Sequence, residues 1–176
     1  MLARYDGFPE NVHHTTYFSS AIYIGKLQHA ITEAISTLND GALDTKKIEI
    51  ASVSDLTVTL EFGIADGNDF TYVNTEEKNR IDKAIKTNPF QLMDFICAIR
   101  YQKAIETKKA PLRGDYYMIR LVFGKKLLEA RVFHERGSRR ITPEEMANLI
   151  VDETNDYGKK RLLRPFKAGP KANQES

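Results

Sequence analysis

Arg136, Arg139 and Arg140 fall within five residues, around Gly137 and Ser138, and Thr142 opens a helix signature just behind them. Arginine presents a planar fork of donors that matches phosphate or carboxylate. A helix N-terminus adds free N–H groups and a partial positive charge. With the Ser138 hydroxyl, these three arginines are the candidate ligand-binding residues of the chain, and their ligand class is an anion. The competing reading is a solvated loop whose arginines pair with Glu135, Glu144 or Glu145. His134 stands at the start of the same loop, in phase with Leu128, Ala130 and Val132, so its ring should turn toward the protein. It is the candidate acid/base, the role that an imidazole fills near neutral pH.

Other reactive side chains carry less. His13 and His14 are neighbours on an expected strand and face opposite ways, so regular geometry keeps them off one metal. Cys97 sits among Phe95, Ile96 and Ile99, an apolar setting that suits an inert buried thiol. Glycine-rich nucleotide loops, a nucleophile elbow and a paired-histidine zinc helix are all absent, which argues against the common NAD, ATP and hydrolase architectures. No metal site and no cofactor are expected. Tyr116, Phe133, Phe70, Tyr72 and Tyr101 lie on expected strands near basic residues. Aromatics on a sheet with flanking Arg and Lys are one way to bind RNA.

The chain has 176 residues, 26 Lys+Arg against 24 Asp+Glu, and one cysteine. That composition is ordinary for a globular domain and excludes collagen-like, coiled-coil and wholly disordered chains. A lone cysteine excludes an internal disulfide and a multi-cysteine zinc site. Charge is uneven: residues 1–99 are net −6, residues 100–158 net +3 and residues 159–176 net +5. Such asymmetry suits an anionic partner, although a basic tail also serves solubility alone. Met1–Glu10 has no apolar run, and no stretch approaches the ~20 residues of a membrane span, so the expectation is a cytoplasmic protein without membrane contact.

The elements that must position these residues follow from periodicity. Residues 12–19 read as a strand. Leu27, Ala30, Ile31, Ala34, Ile35 and Leu38 make one stripe of a helix over 26–38, closed by Gly41. A short strand is allowed at Ile48–Ala51. Residues 56–64 alternate strictly, and Phe70–Val73 returns as a hairpin pairing Phe62 with Tyr72. Asn74 and Glu77 open a second helix, which Asn88-Pro89 ends. Residues 92–101 fit strand or helix, with strand favoured, and residues 102–114 read as an exposed connection. Residues 115–134 form a hairpin around Gly124-Lys125, opposing Arg120 to Glu129. Thr142-Pro143-Glu144-Glu145 opens the last helix.

The order β-α-β-β-α-β-β-β-α gives an α+β class: a mostly antiparallel sheet with helices on one face. Its first six elements match a ferredoxin-like split β-α-β start, to which a hairpin and a C-terminal helix are added. One domain over 1–158 and a basic tail over 159–176 are expected. The function that fits is a binding or assembly domain, self-associating as a homo-oligomer and engaging an anionic small molecule or nucleic acid through the arginine loop. The alternatives are a small-molecule enzyme using His134 with an arginine clamp and an RNA-binding sheet face.

Overall fold

The computed structural model describes residues 1–44, 50–105 and 108–166. Along the chain come β1 (His14–Ser20), α1 (Ile24–Leu38), a 3-10 turn (Ala51–Val53), β2 (Leu56–Asp66), β3 (Asp69–Tyr72) and α2 (Thr75–Thr87). They are followed by β4 (Leu92–Ile105), β5 (Lys108–Gly124), β6 (Leu127–Gly137), α3 (Pro143–Gly158) and β7 (Leu163–Pro165). The class is α+β, with one seven-stranded antiparallel sheet in the order β3-β2-β4-β5-β6-β1-β7. Of the candidate strand at Ile48–Ala51, Ile48 and Glu49 lie outside the described residues, while Ile50 precedes and Ala51 begins the 3-10 turn.

Local signals formed the helices. Asn74 Oδ1 accepts the Glu77 N–H, and Thr142 and Glu145 exchange both bonds of a capping box, with Pro143 in the first helical position. The stripe Leu27, Ile31, Ile35 and Leu38 joins Val58, Leu60, Phe62, Phe95, Ile99 and Ile119 in one core. Each such aliphatic side chain stabilises the fold by ~1.5–3 kcal/mol when fully buried. Helix α1 touches both α2 and α3, so the three pack together.

Long-range pairing departs from the expectation. The order of the first six elements is present, but β4, β5 and β6 all lie between β1 and β2, where a split β-α-β unit interposes one strand. The cause is the length of β4 and β5, 14 and 17 residues, which bond each other end to end. Strand β2 takes the free edge of β4, and β1 takes the free edge of β6. Residues 92–101 are strand, and the expected connection at 102–114 belongs to the same ribbon, with Gln102 opposite Pro111. There the ribbon runs beyond the core, and its exposed lysines hide any alternation.

Both hairpin registers also shift. Lys125 and Lys126 form the β5–β6 turn, Lys126 at φ +54°, and Gly124 pairs with Leu127. Arg120 therefore opposes Arg131 rather than Glu129. Each arginine finds a carboxylate elsewhere: Arg120 on Asp94 of β4 at 2.7 Å, and Arg131 on Glu129 of its own strand at 2.6 Å. In the β2–β3 hairpin a tighter turn at Gly67-Asn68, with Gly67 at φ +65°, pairs Gly63 with Tyr72 and Ala65 with Phe70.

Residues 1–12 cross the sheet face that points away from the core. Ala3 N–H donates to Ala65 O, and Asp94 N–H donates to Ala3 O, so Ala3 fills the gap where β2 and β4 part. Asp94, fully buried, accepts the Tyr5 N–H and both Arg120 bonds, and the Arg120 guanidinium lies 4.4 Å from the Phe8 ring centre. At the other end, the chain past Gly158 does not leave the domain at once. Leu162 and Leu163 are buried, and Leu163–Pro165 pairs with β1. The rest of the basic tail, residues 167–176, lies outside the described residues.

Candidate functional site

The arginine loop is organised around Asp115, a carboxylate with no exposed surface. Asp115 opens the apolar alternation of β5, in phase with Tyr117, Ile119 and Leu121, so its side chain points inward. A buried carboxylate needs several donors. Tyr101 donates its hydroxyl to Oδ2 at 2.6 Å, and His134 Nε2 lies 2.8 Å from Oδ1. The backbone N–H of Arg139 donates to Oδ1, and that of Arg140 to Oδ2 at 3.1 Å. The Ser138 hydroxyl sits between Oδ2, at 3.2 Å, and Arg113 O, at 3.1 Å. Burial pushes the Asp115 carboxyl up, but the bonds from Tyr101, His134 and the two backbone amides together hold it below the ordinary carboxylate range. Burial, with Asp115 next, pushes the Tyr101 hydroxyl far above its usual range.

The backbone that wraps this carboxylate is unusual. A bulge places both His134 and Arg136 opposite consecutive residues, Tyr117 and Tyr116. Gly137 follows at φ +119°, where a Cβ would stand 2.1 Å from Gly114 O, so only glycine fits. Arg139 is left-handed, at φ +59°. Ser138 N–H donates to Gly114 O, which ties the loop to the start of β5. The backbone amides of Arg139 and Arg140 thus hold the protein's own Asp115, and the Ser138 hydroxyl, expected to help bind a ligand, serves the same end.

The guanidinium groups are a separate matter. Among the described residues no ion pair joins Arg136, Arg139 or Arg140 to Glu135, Glu144 or Glu145, and the Glu145 carboxylate accepts from Thr142 N–H. Arg136 lies 4.1 Å from the Tyr116 ring centre, on the outer face of the sheet. Arg140 leans over Tyr101, at 5.8 Å, on the inner side, and its Nε is sealed from solvent without a hydrogen-bond partner among the described residues. Arg139 is exposed, and its charge acts on both His13 and Tyr117. The three cations are therefore spread around the end of the sheet and do not converge on one point.

His134 is nearly buried, 11 % exposed, edge-on to Tyr117 at 5.0 Å, and its N–H donates to His13 Nδ1 at 2.9 Å. His13 stacks on Phe133 at 4.8 Å. Partial burial first, then the charges of Arg139 and His134, keep the His13 imidazole below its ordinary value. His14 turns inward, as strand alternation requires, and its Nε2 is buried without a partner among the described residues. Cys97 is fully buried, and burial pushes its thiol well up, which removes thiolate chemistry.

Among the described residues, the main cavities and the one group with metal-ligand chemistry lie away from this loop. A cleft of about 730 Å³ lies between the end of α1 and α3, lined by Asp40, Asp152, Lys160 and Arg161 among others. Neither it nor two smaller cavities includes His134 or a loop arginine. His29, Glu33 and Asp82 carry metal-ligand chemistry at close range between α1 and α2. The Lys78 ammonium already lies 2.8 Å from Glu33, and the two ring nitrogens of His29 meet Asp82 at 3.0 Å and Tyr157 at 3.1 Å. That arrangement is an ion pair and a set of hydrogen bonds that link α1, α2 and α3.

Sequence reasoning missed Asp115 and the crossing segment. A carboxylate in phase with an apolar strand face was the available signal for the first, since such a group must collect donors. Nothing in Met1–Glu10 announced the second. No helix among the described residues is long and apolar enough to cross a membrane. No family model matches the sequence, no curated protein matches it, and no solved structure matches the fold.

Proposed function

We propose that this chain is a non-enzymatic cytoplasmic binding or assembly domain that engages an anionic partner through Arg136, Arg139 and Arg140. The observation that carries the reading is their lack of carboxylate partners among the described residues, beside three glutamates that are close in sequence. The loop backbone is pinned on Asp115, so these cations are presented from a rigid frame. An enzyme with His134 as acid/base is the weaker alternative. His134 hydrogen-bonds Asp115 through one ring nitrogen, and none of the three cavities reaches it. The sheet face away from the core, crossed at its β2–β4 end by the segment around Ala3, Tyr5 and Phe8, would meet a partner or a second copy of the chain at its β5–β6 end.

The test is calorimetric titration with inorganic polyphosphate. The protein should bind it more weakly as salt rises, since exposed charges are screened beyond ~8–10 Å at physiological ionic strength. Arg139→Ala with Arg140→Ala should weaken binding at least several-fold while the thermal midpoint holds. Equal binding by both proteins would dismiss the loop as the site.

A further inference from the structure

The spread of the three arginines argues against a compact ligand. Arg136 lies on the outer face, Arg140 on the inner side, and Arg139 is exposed between them in sequence, its charge felt by His13. Among the described residues, none of the three cavities described above joins them. Cations strung along a sheet end match an anion that is itself extended.

The outer face beside them has a specific make-up. Strand register aligns Ile96, Met118 and Phe133 in one row, and His13 continues it by stacking on Phe133. The adjacent row holds Glu61, Ala98, Tyr116 and Arg136, the last two stacked. His13 and Arg136 are exposed, whereas Phe133 and Tyr116 are half-buried. Three acidic groups on this side of the sheet are paired, Glu61 with Arg100, Glu129 with Arg131 and Asp94 with Arg120, while Glu135 beside Arg136 is exposed. What remains is two flat stacked pairs, each with a planar exposed partner, bordered by unpaired arginine.

Planar side chains of these types, His, Phe, Tyr and the guanidinium of Arg, are the surfaces on which unpaired bases stack. A duplex hides its base faces, so the fit is to a single strand. An acidic peptide would use the arginines but gains nothing from two flat stacks. We infer that the partner is single-stranded nucleic acid, laid across the outer face with bases on the Tyr116–Arg136 and His13–Phe133 stacks and phosphates on Arg139 at the end of the sheet. This rests on the anion-binding reading above and adds the class of partner.

The test uses fluorescence anisotropy with a labelled uridine dodecamer, its duplexed form, and inorganic polyphosphate as competitor. The single strand should bind more tightly than the duplex and more tightly than polyphosphate of equal charge. Tyr116→Ala and Phe133→Ala should each weaken oligonucleotide binding by about 5- to 150-fold, the range for one lost base stack, and leave polyphosphate binding unchanged. Tyr72→Ala, which removes an exposed tyrosine from β3 at the far side of the sheet, should change neither. Thermal midpoints within a few degrees of wild type would exclude misfolding as the cause.

If the dodecamer binds no better than polyphosphate and ignores the aromatic substitutions, the inference fails while the anion-binding reading stands. Equal binding of duplex and single strand overturns it in the same way. If sedimentation shows a dimer that Phe133→Ala dissociates, a second copy owns the face and the inference again fails. If neither polyanion binds, both readings fall.

Discussion

Asp115 and His134 meet at 2.8 Å, a buried carboxylate against a nearly buried imidazole, and the carboxylate is held in turn by the backbone amides of Arg139 and Arg140. The pair gives the loop one stable shape and leaves the Arg136 and Arg139 side chains exposed. An Asp115→Ala substitution would strand the Arg139 and Arg140 amides and the Tyr101 hydroxyl. Leaving buried donors unsatisfied costs on the order of 3 kcal/mol or more in total. Urea unfolding should show that loss, and a change under about 1 kcal/mol would mean that the loop holds without its carboxylate.

Acid stability should carry the same signature. The Asp115 carboxyl is held below its ordinary range, so its contribution is complete above the unfolded value of about 4. It is lost as pH falls through the lower folded value, because the unfolded chain then binds the extra proton. Thermal midpoints of wild type and Asp115→Asn, followed from pH 7 down to 2, should converge at the acid end. A constant gap at every pH would assign the acid sensitivity to other groups.

Gly137→Ala tests the turn. Its φ of +119° and the 2.1 Å approach of a Cβ to Gly114 O leave no room for a methyl group. Strain of this kind costs about 1–3 kcal/mol or more. Gly41→Ala is the comparison, since its φ is also positive, +79°, but nothing stands within 4 Å. The Gly137 substitution should lower the unfolding midpoint clearly further, and equal losses would contradict the close approach.

Arg120 and Asp94 join the crossing segment to the sheet. Arg120→Met alone leaves a buried charge unpaired and should cost about 3–5 kcal/mol. Pairing it with Asp94→Leu should recover part of that loss, though the Tyr5 N–H then lacks its acceptor. A double-mutant cycle with no coupling would rule out the pair as the anchor.

Truncation separates the docked part of the C-terminal region from a solvated one. Ending the chain at Arg161 removes Leu162 and Leu163, each worth ~1.5–3 kcal/mol when buried, along with the pairing to β1. The midpoint should fall by several degrees relative to a chain ending at Phe166. Identical midpoints would return Leu162–Phe166 to the tail.

What the residues made legible was local. The caps at Asn74 and Thr142 and the stripe on α1 depend on neighbours a few positions apart, and they formed as the spacing predicts. Strand pairing depends on distant edges, so the position of β1 beside β6 could not be read from the order of elements. The β5–β6 register turned on whether Lys126 would accept a left-handed backbone, a choice that glycine at 124 disguised. At the site, residue density pointed to the loop, but the density of arginine says nothing about where amides point. Those amides face Asp115, 24 and 25 positions earlier, and that geometry needed the fold.

The lodging of Ala3 between Ala65 and Asp94 has a kinetic consequence. Tyr5 meets Asp94 and Arg120 across 89 and 115 positions of sequence. On a ribosome moving at ~5–20 residues per second, the first dozen residues wait several seconds for their partners to emerge. Until then the slot between β2 and β4 does not exist, and the two strands lack the backbone bridge that closes the sheet at that end. Closure of such distant contacts slows folding, so this segment, made well before Asp94 and Arg120, is among the last to find its place.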